Sequence, residues 1–310
     1  MTTLNEVAAG RDLAGRPPRG RRVKTQAPAA LFVAPYAVFL LIFGAAPSCY
    51  ALYLAFTKSG QGFVGISNFS HVIDDFRFGP AVWHVSLYLL SWIVALVVLV
   101  VVLAIMVHSV GMRWLNGSLR FLYYLPGALA GASAVLLWLF VLDPSAGPAG
   151  PLLRAFGYHT FSQTIHPTHL PYIFAIISFW TGAGGWILVM FGALNNISTD
   201  VIEAARIDGA SRLQIAWRIQ LPSLRKWIAY MVVLSLAAGT QLFVEPTLLS
   251  QASQSIVPND YSINQLAYQY AFNLNDFNGS AAIAVLLLVV ALALSALFVW
   301  RGGLFTTEER

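Results

Sequence analysis

The sequence predicts an all-α polytopic membrane protein with six transmembrane helices. Three observations carry this reading: six long apolar runs, a low charge content, and a one-sided distribution of basic residues. Of the 310 residues, 58% are hydrophobic and 10% are charged. Soluble domains carry about 25% charged residues. The apolar runs fall near residues 29–56, 82–108, 121–142, 170–195, 227–250 and 280–300. Each reaches or approaches the ~20 residues that cross ~30 Å of hydrocarbon at ~1.5 Å per residue. Unpaired backbone groups are too costly in lipid, so each run is expected to be a helix.

The basic residues set the orientation. Arg11, Arg16, Arg19, Arg21, Arg22 and Lys24 precede the first run. Arg113 and Arg120 follow the second, and Arg206, Arg212, Arg218, Arg225 and Lys226 follow the fourth. Arg301 and Arg310 follow the sixth, whereas the alternate loops hold only Lys58, Arg77 and Arg154. Fifteen against three predicts that both termini face the cytoplasm. The net charge of +5 reflects this asymmetry, and no nucleic-acid partner is needed to explain it.

Along the chain, residues 1–27 are basic and rich in Pro and Gly, and are expected to form a disordered cytoplasmic tail. The first run is longer than a signal peptide's core, so it is read as a span. Cys49 is the only cysteine, which excludes an internal disulfide and a cysteine-cluster metal site; it is expected as a small buried apolar residue. The first outer loop, 57–81, contains FVGISNF at 63–69 and the pair Asp74-Asp75. The second, 143–169, carries His159, His166 and His169, whose spacing fits no closed metal geometry; scattered surface histidines are expected. The third, 251–279, has no basic residue and includes YSINQLAYQYAF at 261–272, a short helix whose tyrosines suit an interface belt or a soluble partner or sugar. Small residues such as Gly127, Ala128, Gly131 and Ala132 are expected to mediate helix packing in one bundle.

The most informative stretch is EAARIDGASRLQIAWRIQLP at 203–222. Asp200 and Glu203 have capping-box spacing, and Ser198 or Thr199 are alternative caps. A short helix closes at Gly209 through a left-handed residue. Ser211 and Gln214 form a second capping box, opening a helix expected to end before Pro222. The product is either a compact knob that meets a cytoplasmic partner or an amphipathic loop lying on the membrane.

This stretch resembles the EAA motif of ABC importer permeases: Glu-Ala-Ala, three residues, Gly, nine residues, then Ile-x-Leu-Pro. Glu203, Ala204, Ala205, Gly209, Ile219, Leu221 and Pro222 match it, while Ser198 stands where the family usually has Pro. FVGISNF at 63–69, RFLYYLP at 120–126, and FW-TG with AL-NNI before the motif are similar to elements of carbohydrate-type permeases, in particular the first subunit of the maltose-type pair. The match spans about 28–305, leaving 306–310 as a second cytoplasmic tail.

The resemblance implies a type I ABC importer permease fold with a cytoplasmic coupling helix in the segment 198–222. It also implies a heterodimer with a second homologous permease, two ATPase subunits that carry ATP and Mg, and an extracytoplasmic solute-binding protein or lipoprotein. Glu203, Ala204, Ala205, Arg206, Asp208 and Gly209 would meet the ATPase, with Glu203 pairing a basic group and the alanines allowing close approach. This chain carries no GxxxxGK[ST] nucleotide loop, so hydrolysis belongs to other subunits and no cofactor is expected on it.

Depth arithmetic places Ser235 and Gly239 roughly 12–18 Å into the fifth run, and Ser178, Thr181 and Gly182 equally deep in the fourth. These positions, with Gly127 and Gly131, align with sugar-lining positions of maltose-type permeases; plain helix packing is the alternative. Glu245, reckoned roughly 27 Å along the fifth run, is read as an outer-interface residue. A secondary transporter driven by ions or protons is the rival class, but five of the six runs lack Asp, Glu, Lys and Arg. A membrane enzyme would need a convergent nucleophile and base, and none is evident. No basic cluster lies at membrane depth, which disfavours a highly phosphorylated solute; a carbohydrate or related polar solute is expected.

Overall fold

Apolar runs punctuated by Pro, Gly and capping residues fold into a succession of helices. A computed structural model describes residues 27–109, 113–129, 131–253 and 256–302. The tails 1–26 and 303–310, and the expectations placed on them, lie outside the described residues. Residues up to Tyr50 and those from Ala51 onward form two separate units; the packing described below is within the second.

The first apolar run is α1 (Leu31–Ala55), which holds a π turn at Leu41–Ala45. Cys49 on this helix is exposed, contrary to the buried position expected. A thiol is apolar enough that a hydrocarbon-facing position costs it little. A two-residue antiparallel ladder, β1 (Thr57–Lys58) and β2 (Gly62–Phe63), departs from an all-helical reading of the first outer loop. α2 (Ser67–Ile73) follows. Its Asn68 donates through Nδ2 to the carbonyls of Ala55 and Thr57 at 2.9 and 2.8 Å. Asn278 donates to Leu54 and Thr57 at 3.0 and 2.7 Å. Two amides thereby satisfy carbonyls that a helix end leaves orphaned, and they explain the asparagine in FVGISNF.

α3 (Phe78–Ser109) is the second span and carries a π turn at Leu96–Val100. The third run is broken rather than continuous. α4 (Arg113–Tyr124) passes through a 3₁₀ turn at Leu125–Ala128, and α5 (Gly131–Val141) leaves at 100° to it. Pro126 removes an amide donor, and the flanking glycines disfavour helix. Two short helices, α6 (Gly150–Ala155) and α7 (Phe161–Thr164), occupy the second outer loop. There His166 Nδ1 lies 2.9 Å from Thr168 Oγ1, and His169 Nδ1 lies 3.3 Å from the Thr164 carbonyl. These ring nitrogens serve local bonds.

α8 (Leu170–Leu194) is the most enclosed span: half of it is buried, against 17% for the last span. It packs on α3, α4 and the 3₁₀ turn. After α9 (Thr199–Ile207) comes α10 (Arg212–Gly239). The second helix of the polar stretch therefore does not stop before Pro222. A π turn at Ala216–Gln220 precedes the proline, which then sits in the first turn of the segment beginning at Leu221. A widened turn accommodates the ring and the missing amide, so the helix continues. The fifth span also ends earlier than expected, at Gly239. Thr240–Phe243 break it, and α11 (Val244–Ala252) starts anew. Glu245 thus lies in the first turn of α11, not along a continuous fifth helix.

α12 (Ile263–Tyr268), with a capping box at Ser262 and Gln265, leads through a π turn at Gln269–Asn273 into α13 (Phe277–Gly302). Tyr261 and Tyr270 are each only 1% exposed, so they are core residues and not belt residues. The Tyr270 hydroxyl donates to Asp75 at 2.7 Å, and Arg77 makes a paired contact with the same carboxylate at 2.7 and 3.0 Å. This clasp joins the first outer loop to the third. Hydrogen bonds from Arg77, opposed in part by burial and joined by Tyr270, hold the Asp75 carboxyl well below the usual carboxylate range. Burial and the Asp75 hydrogen bond push Tyr270 up to about 12.

A depressed folded carboxyl stabilises above its unfolded value, near ~4, and that stabilisation fades as pH falls toward the folded value. A raised tyrosine stabilises below ~10 and is lost as pH rises through about 12. Asp75→Asn should cost about 2 kcal/mol at neutral pH and flatten the loss of stability in acid. Thermal melts across pH read both effects. An unchanged acid limb would contradict the clasp.

Candidate functional site

The polar stretch between the fourth and fifth spans folds as a knob, and each turn of it has a sequence cause. Ser198 is the N-cap: its Oγ accepts from the Asp200 amide at 3.3 Å, which selects it among the three candidate caps. The serine therefore does the capping where the family pattern carries proline. α9 closes with the paired bonds of a Schellman turn, Gly209 N–H to Arg206 O at 3.0 Å and Ala210 N–H to Ala205 O at 2.9 Å. Gly209 has φ +81°, the left-handed conformation that turn needs. Ser211 and Gln214 then form the expected reciprocal box, at 2.7 and 3.3 Å.

None of residues 199–207 is buried. Glu203, Ala204, Arg206, Asp208 and Gly209 are exposed and Ala205 is half-buried. Val201 and Ile207 add exposed apolar surface, Ile207 at 86%. The concave side of the knob is a groove of about 310 Å³ lined by Ala205, Asp208, Gly209, Gln214, Ile215 and Arg218 among others. An exposed, well-capped helix with small residues and one prominent isoleucine has the chemistry of a docking ridge. All six residues expected to couple, Glu203 to Arg206 with Asp208 and Gly209, fall on this one element and its turn.

The pathway candidates fall into two clusters instead of one cavity. In the first, a Cβ on Gly127 would lie 2.9 Å from the Thr181 carbonyl, so the broken third run meets α8 backbone to backbone. Gly131 and Gly182 have open space around them. In the second, Ser178 and Ser235 are 8% and 3% exposed and sit in helix packing. Tyr88 and Ser178 share a hydrogen bond at 2.9 Å, Tyr88 stacks on Trp92 at 5.7 Å, and Trp92 lies against Gly239, 2.7 Å from where a Cβ would stand. Ser235 Oγ and Trp92 Nε1 are buried without a hydrogen-bond partner among the described residues. Two orphaned polar atoms, on facing sides of one helix seam, are costly.

Sequence reasoning missed three features. A cavity of about 660 Å³ lies between α10 and α13, with Thr240, Gln241, Phe243, Asn264, Tyr268 and Ser295 on its wall. Its signal was the polar pair Thr240-Gln241 at the end of an apolar run. A second cavity of about 710 Å³, walled by α3, α4, α5 and α8, is almost wholly apolar. The third is Gly184, whose added Cβ would fall against the Tyr123 carbonyl oxygen, 2.6 Å from Tyr123 C and 2.8 Å from Tyr124 Cα. Only its place in the run TGAGG hinted at a close crossing.

Residues 97–301 match the family described as the binding-protein-dependent transport system inner membrane component, and the chain belongs to that family. It is a multi-pass membrane permease subunit of an importer; its relatives are named as permeases. The chain is similar to the arabinooligosaccharides transport system permease protein AraP of Bacillus subtilis, 24% identical over 90% of this chain and 89% of that one. It is also similar to the multiple sugar-binding transport system permease protein MsmF of Streptococcus mutans, 28% identical over 74% and 77%. Among solved structures, a bacterial alginate ABC transporter, crystallised with an alginate-pentasaccharide-bound periplasmic protein, matches with a TM-score of 0.77 at 22% identity, covering 92% of this chain and 97% of that one.

Proposed function

We propose that this chain forms half of the translocation pathway for a carbohydrate and is driven through α9 by a separate ATPase subunit. The observation that carries the reading is the knob: an exposed helix held by a serine cap, a Schellman turn at Gly209 and a capping box, and placed between two membrane spans. Such a shape has no use inside lipid. It suits a cleft on a soluble partner that closes when ATP binds, with Glu203 facing a basic group and Ala204 and Ala205 permitting close approach. Asp208 and Arg206 flank the contact, and Gly209 sets its angle.

In this reading the partners are a second homologous permease, two ATPase subunits carrying ATP and Mg, and an extracytoplasmic solute-binding protein. Both termini and α9 face the cytoplasm in this reading, which the fifteen-to-three distribution of basic residues supports. The transmembrane part of the chain is taken as residues 28–305, the bounds that the sequence resemblance implies. Carbohydrate is favoured because AraP and MsmF are named for sugars. Ser178, Thr181, Gly182, Ser235, Gly239, Gly127 and Gly131 line the pathway once the seam of Tyr88 and Trp92 opens. A bistable bundle biased by nucleotide and binding protein is sufficient for alternating access.

The experiment is purification of the chain with its partner subunits, followed by ATPase measurements across a panel of neutral oligosaccharides presented by the binding protein. At least one sugar should raise hydrolysis several-fold. Uptake driven by a proton or sodium gradient without ATP would refute the proposal.

A further inference from the structure

We infer that His108 is a positioning residue for the coupling stroke, tying both roots of the knob to α3. The inference rests on the coupling role proposed above for α9. The knob has two roots, the end of α8 that leads into it and the start of α10 that leads out. Phe191, seven residues before the Ser198 cap, meets the His108 ring edge-on at 5.9 Å. Gln220, the last residue of the π turn at the base of α10, places Nε2 3.4 Å from His108 Nδ1. Its amide donates when Nδ1 is unprotonated. One side chain at the end of α3 therefore touches the chain on both sides of α9. Arg120 on α4 adds a third element, its guanidinium carbon 4.7 Å from the Phe191 ring centre.

The chemistry of this contact argues for more than filling space. Gln220 is 8% exposed, although Arg218 and Arg225 nearby are exposed. A buried amide is costly without a partner, and leucine would fill the volume at no such cost. The π turn that ends at Gln220 is the kind of local distortion that recurs at functional sites. What the polar pair adds is direction: it holds α3 to α10 at one register. From His108, α3 runs about 24 Å to Trp92. There it packs on Gly239 and, one turn further, bonds Ser178 through Tyr88. α3 thus runs as one helix, through its π turn at Leu96–Val100, from the roots of the knob to the seam that holds the proposed pathway residues. A displacement of α9 reaches that seam through His108, and not only through α8 and α10 themselves.

The test uses the complete transporter with all partner subunits, in lipid nanodiscs, with Cys49 replaced by serine. Spin labels are placed at Val94→Cys on α3 and Val201→Cys on α9, both exposed positions. Distances are read before and after trapping with ATP and vanadate. With His108 present, the distance should hold to within about 2 Å through the cycle. His108→Leu, and independently Gln220→Leu, should shift or split it by about 5 Å on trapping, and His108→Asn, which can still accept from Gln220, should restore the single distance. Co-purification of the partner subunits shows that each variant has folded. An unchanged distance in both leucine variants, or a wild-type distance that moves as much as theirs, overturns the inference. Crosslinking from Ile207→Cys in parallel samples separates the two claims. If α9 reaches the ATPase while the leucine variants behave as wild type, only the role of His108 fails. If α9 reaches no ATPase, the coupling reading fails and this inference with it.

Discussion

Replacing Gly209 by aspartate should leave the protein inserted and expressed but abolish uptake. Gly209 sits at φ +81° with open space around its missing Cβ. The substitution therefore meets no clash, and its cost is conformational. A side chain in the left-handed region costs about 1–2 kcal/mol. A carboxylate at a helix C-terminus adds up to about 1 kcal/mol by opposing the helix dipole. Together these lower the equilibrium constant for the correctly shaped knob by roughly thirty-fold, at about 1.4 kcal/mol per factor of ten. Asparagine, which tolerates the left-handed region and carries no charge, should retain much more activity. Uptake assays with immunoblots of membrane fractions read both. Normal uptake by Gly209→Asp would count against the coupling role.

Replacing Gly184 by valine should instead remove the protein from the membrane. A Cβ there falls against the Tyr123 carbonyl oxygen and 2.8 Å from Tyr124 Cα, which are backbone atoms and cannot rotate away. This crossing joins the enclosed span α8 to the broken third span. Separating the helices would cost more than about 3 kcal/mol, beyond what overpacked cores usually absorb. Gly185→Ala is the matched control, because nothing lies within 4 Å of its Cβ position. Size-exclusion chromatography of a fluorescent fusion should show the valine variant aggregated and the alanine variant monodisperse. Equal profiles would mean that the crossing is not required.

The two glycines differ in how far the sequence announced them. Gly209 was legible because local chemistry surrounds it: a cap three residues before Val201, a capping box at Ser211, and motif spacing. Gly184 was not, because its role is set by Tyr123, 61 positions earlier in the chain. The same division runs through the fold. Six apolar runs were legible from composition, since lipid admits few alternatives to helix. Their breaks were less so. Pro126 did end a helix, whereas Pro222 did not, because a π turn upstream absorbed it. The end of the fifth span at Gly239 carried a polar signal in Thr240-Gln241 that the apolar residues after it masked. Tyr261 and Tyr270 looked like belt residues because exposure depends on distant partners, His84 and Asp75 respectively. The pathway serines were located by depth, and depth does not tell which neighbour covers a side chain.

The central claim is that α9 delivers a partner's motion to the bundle, and contact at Ile207 tests it most directly. Ile207 is 86% exposed at the end of that helix. A photo-crosslinking residue placed there, in native membranes containing every subunit, should give one adduct, with the ATPase subunit, whose yield changes on ATP binding. Adducts with lipid alone, in the presence of assembled ATPase, would contradict the account.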